Sequence, residues 1–288
     1  MSTTGLYSQH RNKPYLITVR NLILAVVLVL CAVVTLFPTF YMITSSFGPA
    51  VETAGDSRSL LPKAWSLDSY RAFFAFSPNS GRWILNSLIT ACAVVAGNVI
   101  FASMAGYAFA KINFKGKKWL FAVILVAMMI PYQVTQVPLY IVVSRLKMTD
   151  TYLALIMPGL VTSYNIFLSK QFFTGIPTPL VESGKLDGCT HMGIFIRIIL
   201  PLSKTILAVM AINTFMSTWN TFFWPFLVTN NSAMFTIQVG LKSFKFANGT
   251  LFSPMMAGAT LSALPMFILF FSLQKYFLEG VTVGAVKG

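Results

Sequence analysis

The sequence predicts an all-α polytopic membrane protein that crosses the bilayer six times, and three observations carry that prediction. Only 10% of the 288 residues are charged and 56% are hydrophobic. A soluble domain carries about 25% charged residues, so lipid rather than water must cover this surface. Six apolar runs reach the roughly 20 residues that a helix needs to span the hydrocarbon. One stretch breaks the rule: "VESGKLDGCTHMGIFIRIILP" (181–201) gathers Glu182, Lys185, Asp187, His191 and Arg197 in a short loop.

The runs lie at about 20–43, 83–109, 119–143, 152–172, 202–228 and 255–277. A polar leader, 1–19, precedes the first. That run is too long for a signal-peptide core and lacks a small-x-small cleavage site, so it is expected to be retained. The spans together form a transmembrane domain over 20–278, followed by a tail at 279–288. Six spans put both termini on one side. Placing that side in the cytoplasm assigns it thirteen of the 21 basic residues, in keeping with the positive-inside rule. Between the first two runs, "WSLDSYRAFF" reads as a short amphipathic helix at the membrane interface.

The formal net charge of +14 belongs to the ends of the apolar runs. With no basic face interleaved with aromatics, it does not point to nucleic acid. Cys31, Cys92 and Cys189 have no metal-ligand or redox spacing. The sequence contains no G-x-x-x-x-G-K-[ST], H-E-x-x-H or G-x-S-x-G motif. No catalytic, cofactor-binding or metal-binding residue is therefore assigned. The centres of the runs carry no Asp, Glu, Lys or Arg, where a proton-coupled carrier usually needs one. Any energy for transport is expected to come from a partner.

The charged loop, about 173–201, reads as two short helices around a turn on the cytoplasmic side. Pro177 and Pro179 suit a helix start, Gly188 suits the left-handed residue that ends one, and Thr190 suits the cap of the next. The knob is longer than a plain helix connection requires.

At this point the sequence resembles the permease subunits of ABC importers, whose cytoplasmic loop signature is E-A-A-x-x-x-G followed by an apolar segment ending in L-P. Glu182 and Asp187-Gly188 match it, as does "IILPLSK" (198–204), whereas Ser183 and Gly184 stand where alanines are usual. "FMSTWNTFFWPFLV" (215–228) resembles a segment of carbohydrate importer permeases, and "YFLEGVTVGAVKG" (276–288) resembles the tail of the smaller permease in maltose-type importers.

The resemblance implies a homologous second permease subunit, a cytoplasmic ABC ATPase dimer that holds ATP and magnesium, and an extracytoplasmic solute-binding protein delivering a carbohydrate. It places the chain in a bacterial plasma (inner) membrane. It makes 181–201 a coupling helix between spans 4 and 5, contacting the ATPase through Glu182, Ser183, Gly184, Leu186, Asp187, Gly188 and Phe195. The tail residues Gly284, Val286 and Lys287 would dock between the ATPase subunits.

Two polar faces are candidates for the translocation pathway. Asn213, Ser217, Asn220 and Trp224 recur at helical spacing in the fifth run, and Gln133, Gln136 and Tyr140 recur in the third, beside an expected kink at Pro131. Amides beside aromatic planes suit sugars, which present apolar faces and hydroxyl rims. Such residues also serve as interhelical hydrogen-bonding glue. Other cargoes, glycerol phosphate or a polyamine, and a stand-alone facilitator remain as alternatives.

Overall fold

The structure, a computed structural model, describes residues 19–50, 60–62, 64–246 and 249–285, with side chains described at 21–50, 60–62, 64–245 and 251–272. Helices dominate, as the composition requires. Within lipid a backbone can satisfy its own polar groups only by helix or closed barrel. The elements are α1 (Val19–Ser46), α2 (Asp68–Phe76), α3 (Ser80–Lys111), α4 (Lys117–Met129), α5 (Tyr132–Arg145) and α6 (Tyr152–Thr174). They continue with α7 (Thr178–Leu186), α8 (His191–Leu202), α9 (Lys204–Asn220), α10 (Phe223–Val228), α11 (Ile237–Lys242) and α12 (Phe252–Ala285). One two-residue antiparallel ladder, Lys245–Phe246 with Gly249–Thr250, leads into α12.

Among the described residues four helices are long and apolar enough to cross a membrane: α1, α3, α6 and α12. The bent pairs α4–α5 and α8–α9 bring the number to six if each counts as one span. The third run, expected to be merely kinked, turns through 102° at Ile130-Pro131. Pro131 has no N–H, and its ring prevents a preceding helical turn from continuing. The fifth run is divided too. Helix α9 stops at Asn220, Thr221 is extended, and 223–228 form the separate α10.

Close packing follows the small residues. In α3, Gly97 and Gly106 face α6 so tightly that a Cβ would lie 2.9 Å from the Leu160 carbonyl in one case and 2.1 Å from Ser169 Oγ in the other. Small residues permit such approach between membrane helices. Helix α2 matches the expected amphipathic segment, and its apolar side packs onto the neighbouring helices. Phe73 is fully buried against Trp83 and Phe244, and a Cβ on Gly258 of α12 would collide with its ring. At the opposite end a second core joins Tyr107, Phe173 and Met210 of the long helices to Val181, Ile194 and Phe195 of α7 and α8.

Candidate functional site

Two features stand out: a cavity lined in part by polar side chains and the joint formed by α7 and α8. The cavity has a volume of about 640 Å³ and lies among α3, α5, α6, α9 and α10. Helix α6 is interrupted beside it. Its first half ends in a 3₁₀ turn at Met157–Gly159, and Thr162 caps the second half, its Oγ1 accepting from Asn165 N. Membrane helices broken at mid-depth present backbone and cap groups to a cavity. The polar lining comprises Tyr132, Thr162, Tyr164, Asn165, Asn213, Thr214, Ser217, Thr218 and Thr221, with Val94, Leu155, Pro158, Gly159 and Trp224 completing the wall. The lining includes no Asp, Glu, Lys, Arg or His.

Thr162, Asn165 and Thr214 of the lining join a hydrogen-bonded network with Asn98, which is fully buried behind them. Asn98 donates through Nδ2 to Val94 O at 3.1 Å and Gly159 O at 2.6 Å. Its Oδ1 accepts from Thr162 N, Thr162 Oγ1 and Asn165 Nδ2, at 3.0, 3.0 and 2.9 Å. Asn165 Nδ2 also donates to Thr214 Oγ1 at 2.9 Å, tying α6 to α9. Asn98 begins a π-helical turn in α3, Asn98–Ala102, a local widening frequent at functional sites. The wall opposite is fixed by Trp224, whose indole N–H donates to Ala154 O at 3.0 Å.

At the joint, α7 ends in a closed turn. Gly188 has φ 76°, its N–H donates to Lys185 O at 3.0 Å, and Cys189 N–H donates to Gly184 O at 2.9 Å. This pair of bonds satisfies the helix's last carbonyls and needs a left-handed residue between them. Thr190 then caps α8, its Oγ1 accepting from Gly193 N. Glu182, Ser183, Lys185, Leu186, Asp187 and Gly188 are exposed, while Val181 and Gly184 are buried. Gly184 lies against α8: a Cβ there would meet Ile198 Cδ1 at 2.9 Å and Ile194 Cγ1 at 3.1 Å. From the span side, Lys111 Nζ donates to Ile176 O at 2.5 Å, and Tyr107 OH lies 3.2 Å from His191 Nδ1.

Residues 98–283 match the family described as binding-protein-dependent transport system inner membrane component. The chain belongs to that family. It is 35% identical over 259 residues to the arabinooligosaccharides transport system permease protein AraQ of Halalkalibacterium halodurans, covering 89% of this chain and 93% of the relative. It is 31% identical over 271 residues to the sn-glycerol-3-phosphate transport system permease protein UgpE of Brucella abortus, covering 91% and 96%. The fold is similar to that of a crystal structure of a bacterial ABC transporter involved in the import of the acidic polysaccharide alginate. The TM-score is 0.80 at 21% identity, covering 95% of this chain and all of that one. The protein is thus a multi-pass inner-membrane transport component with several sugar-permease relatives.

Placed in this permease, the residues expected from sequence divide. Asn213, Ser217 and Trp224 line the cavity. Asn220 does not: it is exposed, its Nδ2 donates back to Met216 O at 2.9 Å, and it borders a separate groove with Gln238 and Ser262. The cavity stripe of α9 is rotated toward Thr214 and Thr218, and Thr221 and Trp224 reach the same cavity from beyond the end of that helix.

Gln133, Gln136 and Tyr140 are absent from the lining, where Tyr132 stands instead. Gln133 is exposed, Gln136 is buried, and Tyr140 packs against Val143 and Trp224. All three lie in α5 beyond the turn and keep their helical spacing, but the 102° turn aims that helix so that Tyr132, and none of the three, reaches the cavity. Phe195, expected at the ATPase surface, is 5% exposed, with its ring 5.4 Å from that of Tyr107. A residue buried in its own core has no face to offer a partner. Gly284 falls in the last turn of α12, its surroundings not described, while Val286 and Lys287 lie outside the described residues.

Sequence reasoning missed Asn98, Thr162, Asn165 and Thr214. Asn98 and Asn165 sit near the middle of apolar runs, and that position was the available signal, because a polar side chain at membrane depth needs a partner.

Proposed function

We propose that this chain is one of two translocating subunits of an ATP-driven importer of neutral oligosaccharides, with hydrolysis carried out by a partner ATPase. The observation that carries the reading is the cavity itself. Its lining is largely apolar, with the hydroxyls and amides of Thr162, Asn165, Asn213 and Ser217 set into it, and it includes no Asp, Glu, Lys, Arg or His. A phosphate or uronate cargo would need a cation or a dedicated cluster of donors to replace its hydration, and a polyamine would need carboxylates. A neutral sugar exchanges hydroxyl–water bonds for hydroxyl–protein bonds of similar strength.

The same reasoning supports a second permease chain. The 102° turn at Ile130-Pro131 leaves the end of α4 without successive backbone partners, and Met129, Ile130, Tyr132 and Gln133 are exposed there. Hydrocarbon cannot satisfy such groups, so a protein surface is expected to cover them. The exposed knob of α7 and α8 then faces the cytoplasm and receives the ATPase, with both chain termini on that side. A solute-binding protein delivers cargo to the opposite face.

The test is ATP-dependent uptake by proteoliposomes containing the permease pair, the ATPase and the binding protein. Labelled arabinooligosaccharides should accumulate only with ATP and only when the binding protein is present, and glycerol 3-phosphate should neither accumulate nor compete. Uptake without ATP or the binding protein would identify a facilitator. Preferential uptake of the phosphate ester would overturn the neutral-cargo reading.

A further inference from the structure

We propose that the turn between α3 and α4 binds the phosphate of an anionic phospholipid, in the leaflet on the side that carries the α7–α8 knob. The sequence there is "KINFKGKKW" (111–119), with four lysines in eight positions. Topology accounts for lysines at the ends of spans. It does not account for four at one end with no acid among them. Helices α3, α4, α5 and α6 contain no Asp or Glu at all.

The fold draws these lysines into one patch and adds a fifth. Lys117 Nζ turns back to donate to Ile112 O at 2.8 Å, which sets its ammonium at the end of α3. Lys111 Nζ donates to Ile176 O just ahead of α7, so the patch and the knob share a side. Lys170 of α6 holds its Nζ 4.7 Å from the centroid of the Phe121 ring, near the start of α4. Lys115 and Lys118 are exposed. Among the described residues the one ion pair is Arg71 with Asp68, so none of the five lysines is neutralised, and Glu182 and Asp187 of the knob pair with none of them. Lys117 and Lys118 also stand in the first turn of α4, where the helix dipole disfavours cations. An anion from outside the chain offsets both conflicts.

The neighbouring surface selects the source of that anion. Trp119 is 81% exposed beside the lysines, and an exposed tryptophan next to charge marks the level of lipid headgroups. From it an exposed apolar stripe, Leu120, Val123 and Val126, runs along α4. A ligand lying here meets ammonium groups at one end and an apolar helix face at the other. A phospholipid matches both ends, whereas a soluble phosphate matches only the first. Basic clusters beside a membrane span attract anionic lipids in this way, each lysine raising binding about 5-fold.

The experiment uses Trp119 as the reporter. The complete complex, permease pair with ATPase, is placed in phosphatidylcholine bilayers holding a minor fraction of brominated phosphatidylglycerol or the same fraction of brominated phosphatidylcholine. Bromine quenches an indole only near contact, and Trp119→Phe measured in parallel isolates the Trp119 signal by difference. The ratio of the two quenching constants should be about 10-fold in favour of the anionic lipid. Lys115→Gln with Lys118→Gln should lower that ratio about 5-fold or more, and the corresponding arginine pair should keep it. Lys204→Gln, which removes a charge on α9 outside the patch, should leave it unchanged.

A wild-type ratio near one, or a ratio that survives in the glutamine pair, overturns the proposal, and a partner chain covering the turn would give the first of these. An equal loss in Lys204→Gln would make the effect one of net charge and overturn it too. Relief of the quenching by added inorganic phosphate would assign the patch to a soluble anion and not to lipid. Should the glutamine pair not insert, sodium chloride titrated onto the wild type reads the same interaction. Screening should lower the preference for the anionic lipid and leave quenching by brominated phosphatidylcholine as it was. A salt-independent preference overturns the proposal.

Discussion

Asn98 Oδ1 and Asn165 Nδ2 meet at 2.9 Å where α3 crosses α6. Both side chains are buried, at 0% and 3% exposure. Neither helix could hold its amide alone in hydrocarbon, and the pair with Thr162 and Thr214 lets three spans share the burden.

Replacing Asn98 with leucine should therefore cost more than a surface change in lipid. It removes the acceptor for Thr162 N, Thr162 Oγ1 and Asn165 Nδ2, and the donor for Gly159 O. Individual membrane hydrogen bonds are worth about 0.6 kcal/mol on average. With the bond to Val94 O, five bonds are lost together, which is expected to lower stability by about 3 kcal/mol. Reversible unfolding in mixed micelles, followed by tryptophan fluorescence, measures this directly. Stability within about 0.5 kcal/mol of wild type would mean the network is replaceable packing.

Gly106 tests the same helix pair through sterics. A Cβ would stand 2.1 Å from Ser169 Oγ and 2.9 Å from Lys170 N, which is backbone and cannot rotate away. Gly106→Ala should force α3 and α6 apart at a cost of about 3 kcal/mol. Gly193→Ala is the contrast. Its Cβ would meet nothing nearer than 3.5 Å, so helix propensity should dominate, with a gain of up to about 1 kcal/mol. Thermal shift in detergent separates the two by sign.

Asp150 offers a prediction at the far end. It sits at φ 58°, and its Oδ1 accepts from Asn230 N and Asn231 N at 2.7 Å each, holding the loop after α5 to the loop after α10. Asp150→Ala removes both bonds, while Asp150→Asn keeps an acceptor of lower charge. Amide exchange at Asn230 and Asn231 should accelerate about 10-fold in the alanine variant and less in the asparagine variant. Equal rates in all three proteins would show that the loops are held by something else.

What the sequence disclosed and what it concealed follow from the physics of each signal. Hydropathy and length placed the helices because every residue in a run contributes to that sum. The turn at Gly188 was legible because a glycine after an acidic residue and before Thr190 satisfies three local rules at once. The cavity was not legible. Asn220 misled because the stripe of α9 that meets the cavity is rotated toward Thr214 and Thr218, a direction that spacing alone does not reveal. Gln133 and Tyr140 misled because Pro131 does more than kink its helix. Asn98 and Asn165 are far apart in sequence and acquire meaning only when α3 and α6 cross, where the needed information is three-dimensional.

Gly188 separates conformational cost from crowding. At φ 76° no atom lies within 4 Å of where a Cβ would be, so any penalty comes from the backbone alone. Gly188→Asn should cost little, because asparagine tolerates the left-handed region, and Gly188→Val more. Gly188→Pro should abolish the turn, since proline fixes φ near −65° and removes the N–H that donates to Lys185 O. Co-purification of the ATPase should fall in that order. Full retention of the ATPase by the proline variant would make the turn a connector and not a joint.

Leu186 and Phe195 carry the last test, because the joint needs one apolar residue outside and one inside. Leu186 is 89% exposed at the tip of α7 and Phe195 is 5% exposed beneath it. Leu186→Ala removes nothing that the isolated permease buries, so its unfolding midpoint should not move. If the tip enters a groove on the ATPase, affinity should fall by about 10-fold or more, since a buried leucine is worth roughly 1.5–3 kcal/mol. Phe195→Ala should show the reverse pattern, opening a cavity against Tyr107 and destabilising the permease by about 3–5 kcal/mol. A Leu186→Ala complex with unchanged ATPase affinity would place the contact elsewhere on the knob, on Met192 or Ile196, which are also exposed.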